Sequence, residues 1–169
     1  MIKHVWTVIC SNAVVDMDTN NVSLHNVIEQ LNIPESPKPK GFLPIHLELV
    51  TLWFKDDTDA AVKAESRVSF VSSSGETRVV ATPPIDLSEK SRARNRLIFD
   101  ALPLDATGVY HFTIEMRSNG DWIEVASIPL TVIFSPSETD EAQEAMEVNN
   151  QESEEAEVQP KPFRSIEDA

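Results

Sequence analysis

The amino-acid sequence predicts an all-β protein in which two antiparallel sheets pack face to face as a β-sandwich. Strand-like runs, separated by clusters of Asn, Asp, Pro, Ser and Gly, fill the chain from residue 3 to residue 134. Within these runs apolar and polar residues alternate, which is the period of a strand with one buried face. A single sheet would leave those apolar faces in water, so a second sheet must cover them.

Eight strands follow from this pattern. The alternation is clearest in residues 43–49, where every second residue is Leu or Ile and belongs in the core. It fails at Leu52, Trp53 and Phe54, which indicates a bulge or an outer face that is itself covered. The segment 32–42 contains three prolines and is predicted to cross between the sheets. The predicted strands are residues 4–15, 22–31, 44–54, 61–72, 76–85, 93–101, 108–117 and 122–134.

The stretch Asp16-Met-Asp-Thr-Asn-Asn21 resembles the start of a calcium loop. Such a loop needs Gly at its sixth position and Glu at its twelfth, where this chain has Asn21 and Val27. Asx side chains bond nearby backbone amides and tolerate left-handed backbone, so the stretch predicts a turn between the first two strands. We therefore predict no metal site here.

A corner motif is formed by Asp105, Gly108 and Tyr110, in which the tyrosine hydroxyl is expected to bond the backbone a few residues upstream. Such a corner is typical of immunoglobulin-like sandwiches. Phe112 stands where an antibody domain carries a cysteine. The sequence therefore predicts an immunoglobulin-like sandwich with an apolar core, and not an antibody domain.

Charge divides the chain into a folded body, residues 1–134, and an acidic tail, residues 135–169. The net charge is −14, of which the tail, with 11 acidic and 2 basic residues, contributes −9. The tail has too few large apolar residues to offset its ordering entropy, so we predict that it is disordered. Within it, Phe163 and Ile166 form a candidate docking motif.

Composition also excludes several classes of partner. The acidic balance argues against nucleic acid and against an anionic membrane, because neutralising phosphates requires clustered Lys and Arg. No run of 18 apolar residues is present, so no segment is predicted to span a membrane. The single Cys10 excludes an intramolecular disulfide and a multi-cysteine zinc site, and a cytoplasmic location is expected.

Motifs of the common enzyme classes are absent from the sequence, which has neither a Gly-x-Ser-x-Gly elbow nor a phosphate loop. We therefore predict no catalytic residue and no cofactor. The alternative is a metal-dependent hydrolase whose site is built across strands, although no zinc-ligand spacing supports it. Its candidate residues are His25, His46, His111, Glu48 and Glu115.

The basic cluster of the body is Arg92, Arg94 and Arg96, whose alternation places three guanidinium groups on one face of a strand. It is either a site for a carboxylate, a phosphate or the acidic tail, or a solvated face that pairs with acids on neighbouring strands. A third hypothesis is that the tail folds back on this face as a decoy for an acidic partner. The predicted binding residues are Arg92, Arg94, Arg96, Phe163 and Ile166.

Hydrophobic and turn positions that suggest a relationship lie in four segments: Val8-Ile-Cys-Ser-Asn-Ala-Val-Val-Asp16, Thr19-Asn-Asn-Val-Ser-Leu-His-Asn-Val-Ile-Glu29, Leu49-Val-Thr-Leu-Trp53, and the corner from Leu102 to Phe112. Together they resemble a family of small bacterial proteins known only as a domain of unknown function. The resemblance covers roughly residues 5–134. It implies a β-sandwich and carries no activity or catalytic residue with it.

The sequence thus predicts a non-enzymatic, cytoplasmic module that binds a protein partner or acts as a scaffold. An edge strand or a loop surface of the sandwich would hold the partner, because an edge strand offers unpaired backbone groups.

Overall fold

This computed structural model describes residues 1–34, 41–56 and 61–135, which contain ten β-strands and no helix. The all-β class is therefore confirmed. Beyond Ser135 the acidic tail lies outside the described residues, and so do Phe163 and Ile166. No helix in the described ranges could cross a membrane. The strands are β1 (Ile2–Val15), β2 (Val22–Val27), β3 (Gln30–Ile33), β4 (Leu47–Lys55), β5 (Lys63–Val71), β6 (Thr77–Ala81), β7 (Pro84–Asp86), β8 (Arg92–Phe99), β9 (Gly108–Arg117) and β10 (Ile123–Phe134).

The strands form two sheets. One has four strands in the order β2-β1-β4-β8, and the other has six, in the order β3-β10-β9-β5-β6 with β7 paired to β5. All pairs are antiparallel except β3 and β10, which run parallel. The prediction of a purely antiparallel sandwich is wrong at this pair.

The parallel pair arises because the predicted second strand is divided between the sheets. The Ile28 amide still donates to the Ile9 carbonyl of β1, at 2.9 Å, but the next carbonyl, that of Glu29, accepts from Thr131 on β10. Just before this point Asn26 has φ +53°, a left-handed conformation that Asn tolerates. The chain therefore changes sheet at residues 28–29. It changes back between β3 and β4, the connection that contains the predicted proline-rich crossover.

The core lies between the two sheets and is continuous across them. The Phe112 ring of β9 is centred 5.3 Å from that of Phe99 on β8 and 4.9 Å from that of Phe70 on β5. Burying an apolar side chain of this size contributes about 1.5–3 kcal/mol to folding. The fully buried core residues include Ile9, Leu47, Leu49, Trp53, Phe70, Ile85, Leu87, Leu102, Tyr110, Phe112, Ile114, Leu130 and Val132.

The predicted tyrosine corner is present. The Tyr110 side chain is fully buried, and its hydroxyl accepts from the backbone amides of Asp105 and Ala106 at 3.2 and 3.1 Å. The hydroxyl proton can be donated to the Asp105 carboxylate or to the Ala106 carbonyl, each 2.9 Å away. These bonds fix the loop that leads into β9.

Two hydrogen bonds made by the Asn95 side chain link the two sheets at one side of the sandwich. The Trp53 indole of β4 donates to the Asn95 side chain of β8 at 2.6 Å. The Asn95 amide group in turn donates to the Pro84 carbonyl of β7, in the other sheet, at 3.0 Å. β7 and β8, which belong to different sheets, are therefore joined here by a side-chain hydrogen bond.

Close packing at the corner makes Gly108 necessary. A Cβ atom added to Gly108 would lie 2.7 Å from the Ser73 Cβ in the turn between β5 and β6. We expect Gly108→Ala to lower the free energy of unfolding, measured by urea denaturation, by about 1–3 kcal/mol. Ser73→Gly removes the opposing atoms, so the same alanine should cost much less in that background. An equal cost in both backgrounds would contradict the contact.

Candidate functional site

The outer face of the four-stranded sheet is unusually well covered. Because Leu47, Leu49 and Trp53 point into the core, the alternate residues of β4 point outward. Two of these outward residues, Glu48 and Val50, are nevertheless only 1% and 2% exposed. An element other than the second sheet must therefore cover this face.

The cover is the hairpin formed by the end of β1, the turn and β2. Cys10, Ala13 and Val50 form a second apolar cluster, separate from the main core. The side chains packed against it are Trp6, Val22 and Leu24. The hairpin thus folds over β4 at Val50. Opposite Leu52 and Trp53, where the alternation fails, β1 has a register shift between His4 and Trp6, which is the bulge that the sequence offered as one explanation.

The turn at the tip of this hairpin is held by Asp16. Its carboxylate accepts the amides of Asp18 and Thr19 at 2.9 and 2.7 Å, and these bonds lower its pKa. Asn20 has φ +55°, as the Asx composition predicted. The stretch is therefore a turn that directs a carboxylate oxygen to its own backbone.

The buried carboxylate of Glu48 fastens the hairpin to the sheet. Arg96 of β8 donates through Nε and Nη2 to the two carboxylate oxygens of Glu48, both at 2.6 Å. The Ala13 amide also donates to Glu48, at 3.0 Å. The bonds from Arg96 lower the pKa of Glu48 despite the opposing effect of burial. Burial and then the nearby Glu48 carboxylate raise the pKa of the Cys10 thiol, which disfavours its thiolate.

The turn is also fastened to β8 at its tip. The Arg94 guanidinium donates to the Asn20 carbonyl at 2.6 Å and to the Asn20 side-chain oxygen. Between the turn and β8 lies a groove of about 640 Å³, which we call the hairpin groove. Its lining residues are Trp6, Val15, Thr19, Asn20, Asn21, Val22, Leu52, Lys90, Arg92, Ala93, Arg94 and Arg96.

The hairpin groove is cationic. Four of its described lining residues are Lys or Arg and none is acidic. Arg96 is neutralised by Glu48, and Arg94 bonds only the neutral Asn20. Lys90 and Arg92 are exposed, and neither side chain makes a hydrogen bond or ion pair in the described part of the chain.

Cations elsewhere on the described surface have acidic partners. Salt bridges join Lys3 to Asp56, Lys63 to Asp86, Arg67 to Glu115, Arg78 to Glu76 and Arg117 to Glu65. Arg67 and Arg117 also stack on the Trp122 ring, 4.5 and 4.6 Å from its centroid. The six-stranded sheet therefore offers no comparable set of available cations among these residues.

The structure brings together the three predicted arginines but not the residues of the alternative metal site. His46 Nε2 lies 3.9 Å from Oε1 of Glu48, whereas His111 and Glu115 are on the outer face of the other sheet. His25 lies on the edge strand β2. No group of three or more potential metal ligands is found among residues 1–34, 41–56 and 61–135.

Nine of the twelve groove residues were not predicted as binding residues, among them Trp6, Leu52 and Lys90. Trp6 and Leu52 read as ordinary strand residues, and only the broken alternation at residues 52–54 indicated that the outer face was occupied. Lys90 lies outside the alternating arginines, in the loop before β8. Its place in the groove depends on the path of that loop.

Comparison with known proteins gives no family assignment. No family model matches the chain, and no curated protein matches it, which is consistent with the similarity to an uncharacterised family. Among solved structures the chain is similar to part of a β-glucosidase from Listeria innocua in complex with glucose. The identity is 12%, the match covers 65% of this chain and 15% of that one, and the TM-score is 0.44. This likeness carries no argument about activity.

The bond between Arg96 and the buried Glu48 carboxylate predicts a pH-dependent effect of Arg96→Ala. In the native protein the pKa of Glu48 is lowered, so its charged carboxylate stabilises the fold at pH values above the pKa that Glu48 has in the unfolded chain. This stabilisation is lost as the pH falls through the lower pKa of Glu48 in the folded protein. Without Arg96 the buried carboxylate opposes folding until it is protonated. We expect the melting temperature to fall by several degrees at pH 7 and by less near pH 4, about the ordinary pKa of Glu.

Arg92→Ala is the matched control, because Arg92 lies on the same face of β8 without a bonded partner. Its melting temperature should stay close to that of the native protein at both pH values. A loss for Arg96→Ala that is equal at both pH values would show that Glu48 is not the cause.

Proposed function

We propose that this protein is a non-enzymatic binding module whose hairpin groove holds an extended acidic segment of a protein partner. The observation that carries the proposal is the charge of the groove. The described cations that lack a carboxylate partner there, Lys90, Arg92 and Arg94, line one surface of a chain whose net charge is −14. An acidic ligand would supply the carboxylates that the body does not.

The groove combines this charge with an apolar surface. Trp6 and Leu52 line it beside the cations and are only half-buried. A ligand with carboxylates on either side of an apolar side chain could therefore pair with Lys90 and Arg92 and cover Trp6 and Leu52 together. The volume of about 640 Å³ is within the range of ligand sites.

Of the two kinds of surface that the sequence left open, the loop surface is better supported than an edge. The groove has one wall of fixed position, since Arg94 of β8 holds the turn at Asn20, and it leaves the Lys90 and Arg92 side chains available for a ligand.

We further propose that the sandwich is immunoglobulin-like and that the protein works in the cytoplasm. The hydroxyl of Tyr110, bonded to the loop before β9, supports the first proposal. A single cysteine, present as a buried free thiol, supports a reducing compartment.

Binding of a fluorescein-labelled, Glu-rich peptide with one central leucine would test the groove. We expect measurable binding by fluorescence anisotropy that weakens as salt is raised, because the attraction is partly exposed to solvent. The double variant Lys90→Glu and Arg92→Glu should weaken it by about tenfold or more, since attraction becomes repulsion.

The matched control is Lys63→Glu with Arg78→Glu, which changes the net charge equally but lies outside the groove. It should change the affinity only slightly. Equal losses in the two double variants would indicate a nonspecific charge effect and contradict the proposal. Equally tight binding of an oligonucleotide of the same charge would overturn the assignment to a protein segment.

A further inference from the structure

We infer that residues 138–157 of this same chain occupy the hairpin groove when no partner is bound, so that the module inhibits itself. The inference rests on the proposed function of the groove and adds its regulation. The segment lies outside the described residues, and its sequence is what identifies it as the occupant.

Charge complementarity is the first argument. Residues 138–157 contain nine acidic residues and no Lys or Arg. The groove has the opposite character, with Lys90 and Arg92 exposed and without carboxylate partners. No other surface of the described residues combines several cations without acidic partners, because the salt bridges elsewhere already satisfy them.

The apolar pattern of the segment also fits. Met146 and Val148 stand beside Glu144 and Glu147, so a short stretch offers both carboxylates and apolar groups. The groove needs the same combination, since Trp6 and Leu52 lie next to the cations. The stretch Phe163 to Ile166 suits it less well, because Lys161 and Arg164 add positive charge there.

The segment can reach the groove from its attachment point. It begins three residues after Ser135, the last described residue. A body of residues 1–134 has a radius of gyration of about 14 Å and is about 36 Å across, and the 9 to 13 extended residues that lead from Ser135 to Glu144 and Val148 span about 30–43 Å. Tethering gives such a segment an effective concentration in the millimolar range, so even a weak contact would be well populated.

Zero-length carbodiimide crosslinking of the full chain tests the contact directly, because it joins a lysine amine to a carboxylate only when the two are in contact. We expect crosslinks from Lys90 to glutamates of residues 138–157, found by mass spectrometry after proteolysis. Lys63 is the matched control: it is exposed and pairs with Asp86, so its crosslinks should go there.

A mixture of light and isotope-labelled chains shows whether a crosslink lies within one chain. The inference would be overturned if Lys90 crosslinks to the segment form only between two chains. It would also be overturned if Lys90 crosslinks to the segment no more often than Lys63 does.

Affinity for the Glu-rich peptide separates this inference from the function on which it rests. In the full chain, changing the nine acidic residues to Gln or Asn should raise the affinity by at least about tenfold, because the groove is no longer occupied. Unchanged affinity that still depends on Lys90 and Arg92 would overturn self-inhibition and leave the proposed function standing. If Lys90 crosslinks to the segment, but the variant with the nine acidic residues changed to Gln or Asn does not bind the peptide, the proposed function is overturned instead.

Discussion

The bond between Arg96 and Glu48 is the interaction on which the outer face of the four-stranded sheet depends. Glu48 is almost completely buried, and a carboxylate in that position needs a cation and further hydrogen bonds to stay charged. Arg96 supplies the cation from β8, and the Ala13 amide supplies a bond from β1. One side chain of β4 thereby joins the strands on both of its sides, and the hairpin that begins at β1 is held over the sheet.

The same arrangement determines which charges are available. Because Arg96 is used by Glu48 and Arg94 by Asn20, the alternating arginines are not equivalent. The side chains of Arg92 and of Lys90 in the preceding loop have no bonded partner among the described residues. The strongly acidic composition of the chain therefore coexists with a groove whose described lining includes four Lys and Arg residues and no acidic residue.

The fold could be predicted where a local pattern determines it, and not where distant segments do. The alternation around Leu47 and Phe112 and the corner at Tyr110 identified the buried faces correctly. The parallel pair of β3 and β10 could not be predicted, because the change of sheet after Asn26 has no local signal beyond a polar residue. For the same reason the alternating arginines were found in the sequence, but their separate partners, Glu48 and Asn20, lie 48 and 74 residues away.

The pH titration of the Glu48 side-chain carboxyl carbon, followed by NMR in the full chain, tests the central claim most directly. The structure predicts a midpoint below that of an ordinary glutamate, and an Ala13 amide signal that shifts at the same midpoint, because the two groups share a hydrogen bond. A midpoint at or above the ordinary value, or an Ala13 amide that does not follow it, would show that the Glu48 carboxylate does not hold the hairpin over the sheet.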